Sequence, residues 1–217
     1  RYTFANQKDD LDAVIAGLGL DRVVLVVHDA SGPAGINWAV EHPQQVAAIV
    51  ALNTFYSLLP GAPPNPPEAI RLFSTPEFQR LTDHFAESPR EFRWLYDFQV
   101  GGFIEHESVR RKFVPLLYRQ FEDHPSTLGP FLQLNADLNA AVLANTDRAS
   151  ELQSFPAPVR TAFGEHDTYL SPQQGRVLAA QFPRSDAFTV AGTGHFPQLD
   201  APAEVADLIL TVPLAGG

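Results

Sequence analysis

The chain has 217 residues, with 25 acidic residues against 15 basic ones and a formal net charge of −10 at pH 7. This excess of negative charge argues against nucleic acid or an anionic membrane surface as a partner. The absence of cysteine excludes a disulfide scaffold and a thiol nucleophile, and no apolar stretch is long enough to span a bilayer. The length fits one domain with an insertion.

The first predicted element is an amphipathic helix with one apolar face, formed by Leu11, Val14, Ile15 and Leu18. It leads into residues 22–27, a run dense in Val and Leu that is typical of a fully buried parallel strand. Asp29 and an Ala-Ser-Gly sequence follow this strand, and residues 34–40 are compatible with a helix. A strand, a tight turn and a helix form a nucleophile elbow, where one side chain is held exposed on a strained turn.

Counting from the end of the strand places Asp29 at the tip of this elbow, with Val27 and Ser31 at the flanking positions. The nucleophile would then be a carboxylate, although an Asp at a strand end can also simply cap the next helix. Ser31 is the rival nucleophile, but a G-x-S-x-G pattern would require glycines at positions 29 and 33. That alternative would also bury Asp29 without a partner, so Ser31 is better interpreted as a small flanking residue or a helix N-cap.

The middle of the chain changes from strand to helix. Residues 46–55 form the next predicted buried strand, closed by Asn53 and Thr54, and residues 58–67 are proline-rich, which predicts a stiff connector. Apolar residues then recur with helical spacing to about Leu152. We therefore expect residues 56–152 to form a helical cap inserted into a core of residues 1–55 and 153–217. An apolar cap would exclude water and favour a small, uncharged organic substrate.

The last third of the chain contains two more predicted strands, each followed by a polar residue. Residues 159–163 lead into Asp167, and residues 187–190 lead into His195. Helices are predicted from Ser171-Pro172 and from Pro202, because proline is favoured at the first helical position. The carboxyl ends of parallel strands meet at one edge of a sheet, so Asp29, Asp167 and His195 are expected to converge.

The order nucleophile, acid, histidine is that of the α/β-hydrolase arrangement. The segment Val-Val-His-Asp-Ala-Ser-Gly at residues 26–32 is similar to the V-V-Q-D-W-G-G and G-H-D-W-G-G elbows of the aspartate-nucleophile branch, which holds epoxide hydrolases and haloalkane dehalogenases. Residues 164–167 resemble the family's acid turn and residues 194–196 its histidine turn. The resemblance covers nearly the whole chain. It implies an α/β fold, with a mostly parallel sheet flanked by helices and an inserted helical cap.

The resemblance also implies a mechanism without cofactor or metal. Asp29 would attack an sp³ carbon, opening an epoxide or expelling halide, and would form an alkyl ester. His195, oriented by Asp167, would then act as general base on the water that hydrolyses the ester. The main-chain N–H of Ala30 would stabilise the oxyanion formed in this second step.

Several positions depart from the family pattern or extend it. Ala30 stands where family dehalogenases carry a Trp that cradles the halide, which moves epoxides slightly ahead of halides as the expected substrate. Tyr96 and Tyr118 are candidates to polarise an epoxide oxygen, although Tyr118 is also compatible with a core position. Trp94 could donate a hydrogen bond to an anion, with simple packing as the alternative. His28, next to Asp29, is expected to line the substrate site.

In the family, four strands and an H-G-x-P loop precede the first helix, and this sequence does not show them. We therefore expect the elbow strand to present an exposed hydrophobic edge, where a second copy of the chain could pair to form a homodimer. We also expect this chain alone to be weakly active or inactive. The main alternative to an enzyme is a non-catalytic binding module, with a serine esterase using Ser31 as a distant third. The expected location is cytoplasmic.

Overall fold

The computed structural model describes residues 2–59, 71 and 75–216. Its strands are β1 (Val23–Asp29), β2 (Val46–Thr54), β3 (Val159–Gly164) and β4 (Ser185–Val190). Its α-helices are α1 (Phe4–Gly17), α2 (Ser31–Glu41), α3 (Pro76–Glu87), α4 (Pro89–Phe103), α5 (Glu107–Asp123), α6 (Leu128–Arg148), α7 (Pro172–Ala179), α8 (Pro197–Asp200) and α9 (Pro202–Leu210). The predicted proline-rich connector lies outside the described residues from position 60 onward.

The four strands form one parallel sheet in the order β1-β2-β3-β4, as the predicted α/β architecture requires. Because the strands are parallel, Asp29, Thr54, Gly164 and Val190 end their strands at the same edge of the sheet. This edge carries the candidate functional site. The strands predicted at residues 46–55, 159–163 and 187–190 are confirmed within one or two residues at each end.

Helices cover both faces of the sheet. The central strand β2 is buried along its whole length, and its side chains alternate between the two faces. On one face Ile49 belongs to an apolar cluster with Trp38 of α2 and Leu178 of α7. On the other face Val50 belongs to a cluster with Val205 of α9. Each such buried side chain contributes roughly 1.5–3 kcal/mol of transfer free energy, so the sheet edge rests on a rigid core.

Helix starts follow the predicted capping chemistry in the last third of the chain. The Ser171 side chain accepts from the Gln174 main-chain N–H while the Gln174 side chain accepts from Ser171, a complete capping box with Pro172 at the first helical position. Pro202 likewise takes the first position of α9, where the N-cap Ala201 makes no side-chain capping bond. The predicted N-cap role of Ser31 is wrong, because Ala30 is the N-cap of α2 and Ser31 is already helical.

Helices α3 to α6 lie between β2 and β3 in the chain and form a helical insert. The insert has its own aromatic cluster, made of Phe85, Phe92, Tyr96, Tyr118, Phe121, Leu128 and Leu132. Its last helix, α6, also contacts the rest of the protein. Asn145 accepts a hydrogen bond from the Asn37 side chain at 2.9 Å and donates to the Tyr56 carbonyl at 3.1 Å. None of the described helices combines the length and apolarity needed to cross a membrane.

Burial is uneven in the first two elements, and the expectation of a fully buried elbow strand is wrong. Of the apolar face predicted for α1, Ile15 is buried, whereas Val14 is 55% and Leu18 68% exposed. In β1, Val24 and Val26 are 37% and 41% exposed, because they lie on the face of the strand opposite to the one that packs against Gly35 of α2. In the described part of the chain β1 pairs only with β2. The exposed apolar edge expected for the elbow strand is therefore present, and only the side chains facing α2 are covered.

Candidate functional site

Asp29 occupies a strained turn between β1 and α2. Its φ of +46° lies in the left-handed region, which non-glycine residues adopt only when their surroundings enforce it. The Thr54 hydroxyl donates to the Asp29 carbonyl at 2.5 Å. A Cβ at Gly32 would lie 1.9 Å from Thr54 Oγ1, so the start of α2 approaches β2 closely enough to require glycine. The turn is therefore held in place from the neighbouring strand.

The Ser31 hydroxyl stabilises the same turn through main-chain hydrogen bonds and is not bonded to His195. It donates to the His28 carbonyl at 2.7 Å and accepts from the His28 main-chain N–H at 2.9 Å. The side chain at the tip of the turn is that of Asp29, which is 41% exposed and has Oδ1 3.5 Å from Nε2 of His195. This geometry favours Asp29 over Ser31 as the reacting group.

His195 is held by Asp167 at the centre of the site. Its Nδ1 lies 2.7 Å from Asp167 Oδ2, and the two side chains are 3% and 0% exposed. The main-chain N–H groups of Tyr169 and Leu170 donate to Asp167 Oδ1 at 2.8 and 3.0 Å. The Asn53 amide donates to Oδ2 at 2.6 Å. Every oxygen of this buried carboxylate is thus satisfied, and the imidazole ring has one orientation.

Asn53 belongs to the site, although its sequence context predicted only the end of a strand. It has φ of +31°, and its Oδ1 accepts from the Gly164 main-chain N–H at 3.0 Å while its amide binds Asp167. It therefore links β2 to the end of β3 and to the acid. The available signal was an Asn at the carboxyl end of a buried strand, since Asn tolerates the left-handed region.

The loop that carries His195 crosses the carboxyl edge of the sheet. A Cβ at Gly164 would lie 1.9 Å from the Gly194 carbonyl oxygen, so the loop passes directly over the end of β3. This close approach brings His195, which follows the outer strand β4, to Asp29 at the end of the opposite outer strand. The predicted convergence of Asp29, Asp167 and His195 is therefore observed.

Electrostatic coupling favours the ionised form of all three groups. Burial by itself would lower the pKa of His195, but hydrogen bonds and charges from Asp167 and Asp29 outweigh it and raise the pKa to about 9. Burial opposes ionisation of Asp29 and Asp167 too, yet His195 lowers the pKa of both carboxyls below their usual values. The Ala30 main-chain N–H also helps to lower the pKa of the Asp29 carboxyl.

His28 lies inside the site, beside His195. Its Nε2 is 2.8 Å from the His195 carbonyl oxygen, and because a carbonyl only accepts, Nε2 carries the proton. Its ring centroid lies 5.0 Å from those of His195 and Phe196. Burial lowers the pKa of His28, so the imidazole is neutral near pH 7. His28, which was predicted to line the substrate site, therefore uses its Nε2 in a hydrogen bond to the His195 main chain.

Aromatic rings surround His195. The centroids of Phe103, Phe196 and Tyr169 lie 5.4, 5.2 and 5.9 Å from that of the imidazole. Phe103 comes from the end of α4, so the helical insert reaches the site. Burial is the main cause that raises the pKa of Tyr169 to about 12, and the negative charges of Asp29 and Asp167 raise it further in the same direction. Phe103 and Tyr169 were not anticipated, because no periodic or motif signal distinguishes them from other aromatic residues.

The other predicted substrate contacts are placed differently. Tyr96 and Tyr118 pack against each other, with ring centroids 5.2 Å apart, inside the aromatic cluster of the insert. The Arg93 guanidinium lies 4.4 Å above the Tyr118 ring. Their described ring contacts are with this cluster, which favours the packing alternative over polarisation of an epoxide. Trp94, on α4, is 70% exposed. Among the described residues, no group of three or more acidic or histidine side chains is arranged to hold a metal ion.

Comparison with known proteins gives relatives of several activities. The chain is 26% identical over 195 residues to a Caulobacter vibrioides protein named as a carbamate hydrolase, RutD, covering 90% of this chain and 66% of that protein. It is 28% identical over 219 residues to a haloalkane dehalogenase of Sphingobium indicum, covering 96% of this chain and 70% of the relative. The chain therefore spans about two thirds of the length of these relatives.

Among solved structures, the fold is similar to 2-hydroxy-6-oxo-6-phenylhexa-2,4-dienoate hydrolase of Rhodococcus sp. strain RHA1. The TM-score is 0.73 at 14% identity, covering 95% of this chain and 69% of the other. The family model described as alpha/beta hydrolase fold matches residues 1–202. The parallel sheet, the flanking helices and this match across most of the sequence lead to one conclusion: the chain belongs to the alpha/beta hydrolase fold family.

Proposed function

We propose that this protein hydrolyses a small apolar organic substrate through a covalent alkyl ester to Asp29, in the manner of an epoxide hydrolase or haloalkane dehalogenase. One observation carries the proposal. Asp29 sits at the tip of a strained turn with its carboxylate 3.5 Å from Nε2 of His195, whose Nδ1 is bonded to the buried Asp167. A binding module would gain nothing from this backbone strain, which supports the enzyme over the non-catalytic alternative.

In the first step the Asp29 carboxylate attacks an sp³ carbon of the substrate. Its lowered pKa keeps it ionised at neutral pH, and 41% of the side chain is open to a substrate. The new C–O bond replaces the C–O bond of an epoxide, whose alkoxide oxygen takes up a proton from solvent, or the bond to a halide, which leaves as the anion. The product of this step is an ester in which Asp29 is no longer charged.

Loss of that charge prepares the second step. Asp29 is one of the two carboxylates that raise the pKa of His195, so alkylation of Asp29 lowers the pKa and allows Nε2 to lose its proton to solvent. The neutral Nε2 then accepts a proton from water as the water attacks the ester carbonyl. The Ala30 N–H stabilises the oxyanion. Collapse of the tetrahedral intermediate regenerates the Asp29 carboxylate and expels the alkoxide, which takes the proton held by His195 and leaves as the alcohol.

The helical insert is proposed to act as a cap over this chemistry. The support is the position of Phe103, whose carbonyl oxygen accepts from the His195 main-chain N–H at 2.9 Å and whose ring packs beside the imidazole. Such a cover would exclude water from the alkylation step. Between substrates, Ala30 provides no indole N–H for a halide, which favours epoxides, whereas the similarity to a haloalkane dehalogenase keeps halides as the second candidate.

The test is intact-mass spectrometry of the His195→Gln variant after incubation with panels of epoxides and haloalkanes. Without the base, the ester should accumulate, and its added mass identifies the substrate class. The double variant Asp29→Asn, His195→Gln is the control and should gain no mass. The absence of an adduct from a folded His195→Gln protein across both panels would contradict the proposal.

A further inference from the structure

Asp200, the last residue of α8, binds two segments that are distant in the chain. Its Oδ2 accepts from the Glu105 main-chain N–H at 3.1 Å, and its Oδ1 accepts from that of His106 at 3.2 Å. Both donors lie in the connection between α4 and α5 of the helical insert. Oδ2 also accepts from the Gly194 main-chain N–H at 3.0 Å, next to His195. One carboxylate therefore joins the insert to the histidine loop.

The same two segments touch directly beside this carboxylate. The His195 N–H donates to the Phe103 carbonyl at 2.9 Å. A Cβ at Gly194 would lie 2.4 Å from that carbonyl oxygen, so the two main chains meet with no side chain between them. The Glu105 carboxylate lies 3.2 Å from Nδ1 of His166, which is adjacent to Asp167 in the chain. The contact between the insert and the loop is thus made by the main chain of His195 itself, the residue that carries the imidazole.

Asp200 is well placed to hold this contact, because it is attached to the histidine loop at both ends. Its main-chain N–H donates to the Phe196 carbonyl at 3.1 Å, and its side chain returns to Gly194. These two bonds connect α8 back to the loop on both sides of His195. The Asp200 carboxylate then accepts the hydrogen bonds from the Glu105 and His106 main-chain N–H groups of the insert. Two ionised oxygens can serve three N–H donors, whereas an amide offers a single acceptor oxygen.

We propose that Asp200 is a positioning residue that clamps the α4–α5 connection onto the His195 loop, so that placement of the helical insert and orientation of the imidazole depend on each other. Its catalytic consequence rests on the function proposed above. When the insert moves away from the sheet edge, the His195 main-chain N–H loses the Phe103 carbonyl and Asp200 loses its Glu105 and His106 donors. The loop then holds Nε2 of His195 less firmly toward Asp29. Hydrolysis of the ester, which needs His195, then depends on the clamp more than formation of the ester does.

The first test uses the resting protein without substrate. Asp200→Ala is compared with Asp207→Ala, which removes an exposed carboxylate from the neighbouring helix α9. Amide hydrogen exchange of Glu105, His106 and Gly194 should become at least about tenfold faster in Asp200→Ala, because hydrogen bonds to charged acceptors are lost. Exchange in Asp207→Ala should match the wild type. Wild-type exchange rates in both variants would overturn the clamp.

The second test asks whether the clamp acts on His195. NMR titration of the His195 imidazole should show a lower pKa in Asp200→Ala than in wild type, because the ring is held less firmly between its two carboxylates. Single-turnover kinetics should show that ester hydrolysis slows about tenfold or more while ester formation changes less, so that the adduct accumulates. Faster exchange with an unchanged imidazole pKa and unchanged ester hydrolysis would overturn the coupling.

Two further comparisons keep the outcomes separate. Asp200→Asn retains the size and one acceptor oxygen, and is expected to give effects between wild type and Asp200→Ala; it also replaces Asp200→Ala if that variant does not fold. Failure of the proposed function would appear as no Asp29 adduct in His195→Gln. The exchange and titration measurements on the resting protein do not depend on that result, so the clamp can be judged independently.

Discussion

Nε2 of His195 lies 3.5 Å from Oδ1 of Asp29, although β4, which precedes His195, and β1, which ends at Asp29, form opposite edges of the described sheet. The loop after β4 bridges this separation by passing over the end of β3, where Gly164 leaves room for the Gly194 carbonyl. Asp29 meets the imidazole because its left-handed backbone turns the side chain out of the sheet. The contact between Asp29 and His195 therefore depends on two local backbone features, which are the close approach at Gly164 and the left-handed conformation of Asp29.

Asp29→Asn should abolish turnover while leaving the fold intact. The amide cannot form the alkyl ester, so kcat is expected to fall by a factor on the order of 10³ or more. Because Asn is also tolerated in the left-handed region, the melting temperature should stay within a few degrees of wild type. The pKa of His195 should fall below about 9, since one of its two carboxylate partners is lost. Turnover within tenfold of wild type would rule out Asp29 as the nucleophile.

Asn53→Ala should impair both stability and activity. It removes the bonds to Asp167 and to the Gly164 N–H and leaves buried groups without partners, which costs roughly 2–3 kcal/mol of unfolding free energy. Activity should fall about tenfold, because Asp167 orients His195 less well. The control is Asn135→Ala on α6, which removes a single amide bond to the Phe131 carbonyl. Urea unfolding and initial rates measure both effects, and equal losses in the two variants would contradict this prediction.

Gly32→Ala should destabilise the elbow. The added methyl group would lie 1.9 Å from Thr54 Oγ1 and 2.9 Å from the Phe55 carbonyl oxygen, so α2 must shift away from β2. Overpacking of this kind costs roughly 1–3 kcal/mol, and the shift should also lower activity by displacing Asp29. Gly129→Ala is the matched control, because an added Cβ there meets nothing within 4 Å beyond its own stretch of helix among the described residues. This variant should be neutral or stabilising, since alanine favours the helix. Thermal unfolding of the two variants would distinguish these outcomes.

The unfolding free energy should depend on pH in a direction set by His195. The pKa of His195 is about 9 in the folded protein, against about 6.5 when unfolded, so the folded state binds more protons between these values. This contribution is fully present below pH ~6.5 and is lost as pH rises through ~9. The lowered pKa values of Asp29 and Asp167 act in the opposite direction, and their contribution is lost as pH falls below ~4.

Urea unfolding from pH 3 to 10 measures this dependence, with His195→Gln as the control. The wild type should lose stability between about pH 6.5 and 9, and the variant should show a smaller decrease over the same interval. Equal slopes for the two proteins in this interval would show that His195 is not held as an imidazolium between the carboxylates. The loss of unfolding free energy at acidic pH should also be smaller in His195→Gln, because the imidazolium lowers the pKa of both carboxyls in the wild type.

The sequence by itself determined the strands, most of the helices and the chain order of Asp29, Asp167 and His195. Hydrophobic periodicity and capping residues act over a few neighbouring residues, so they can be recognised without knowing the tertiary structure. Parallel strands then place their carboxyl ends together, which is why the three polar residues could be expected to meet. Their proximity is observed, and their catalytic roles are proposed.

Only the tertiary structure decided which further residues reach that site. Asn53, Phe103 and Asp200 contact Asp167 or the His195 loop from separate parts of the chain. Tyr96 and Tyr118, which the family resemblance favoured, pack inside the insert instead. Aromatic and acidic residues look alike in a sequence whether they fill a core, face solvent or hold a catalytic loop. The choice is made by how the insert and the loop pack across the sheet edge, an arrangement that local patterns do not encode.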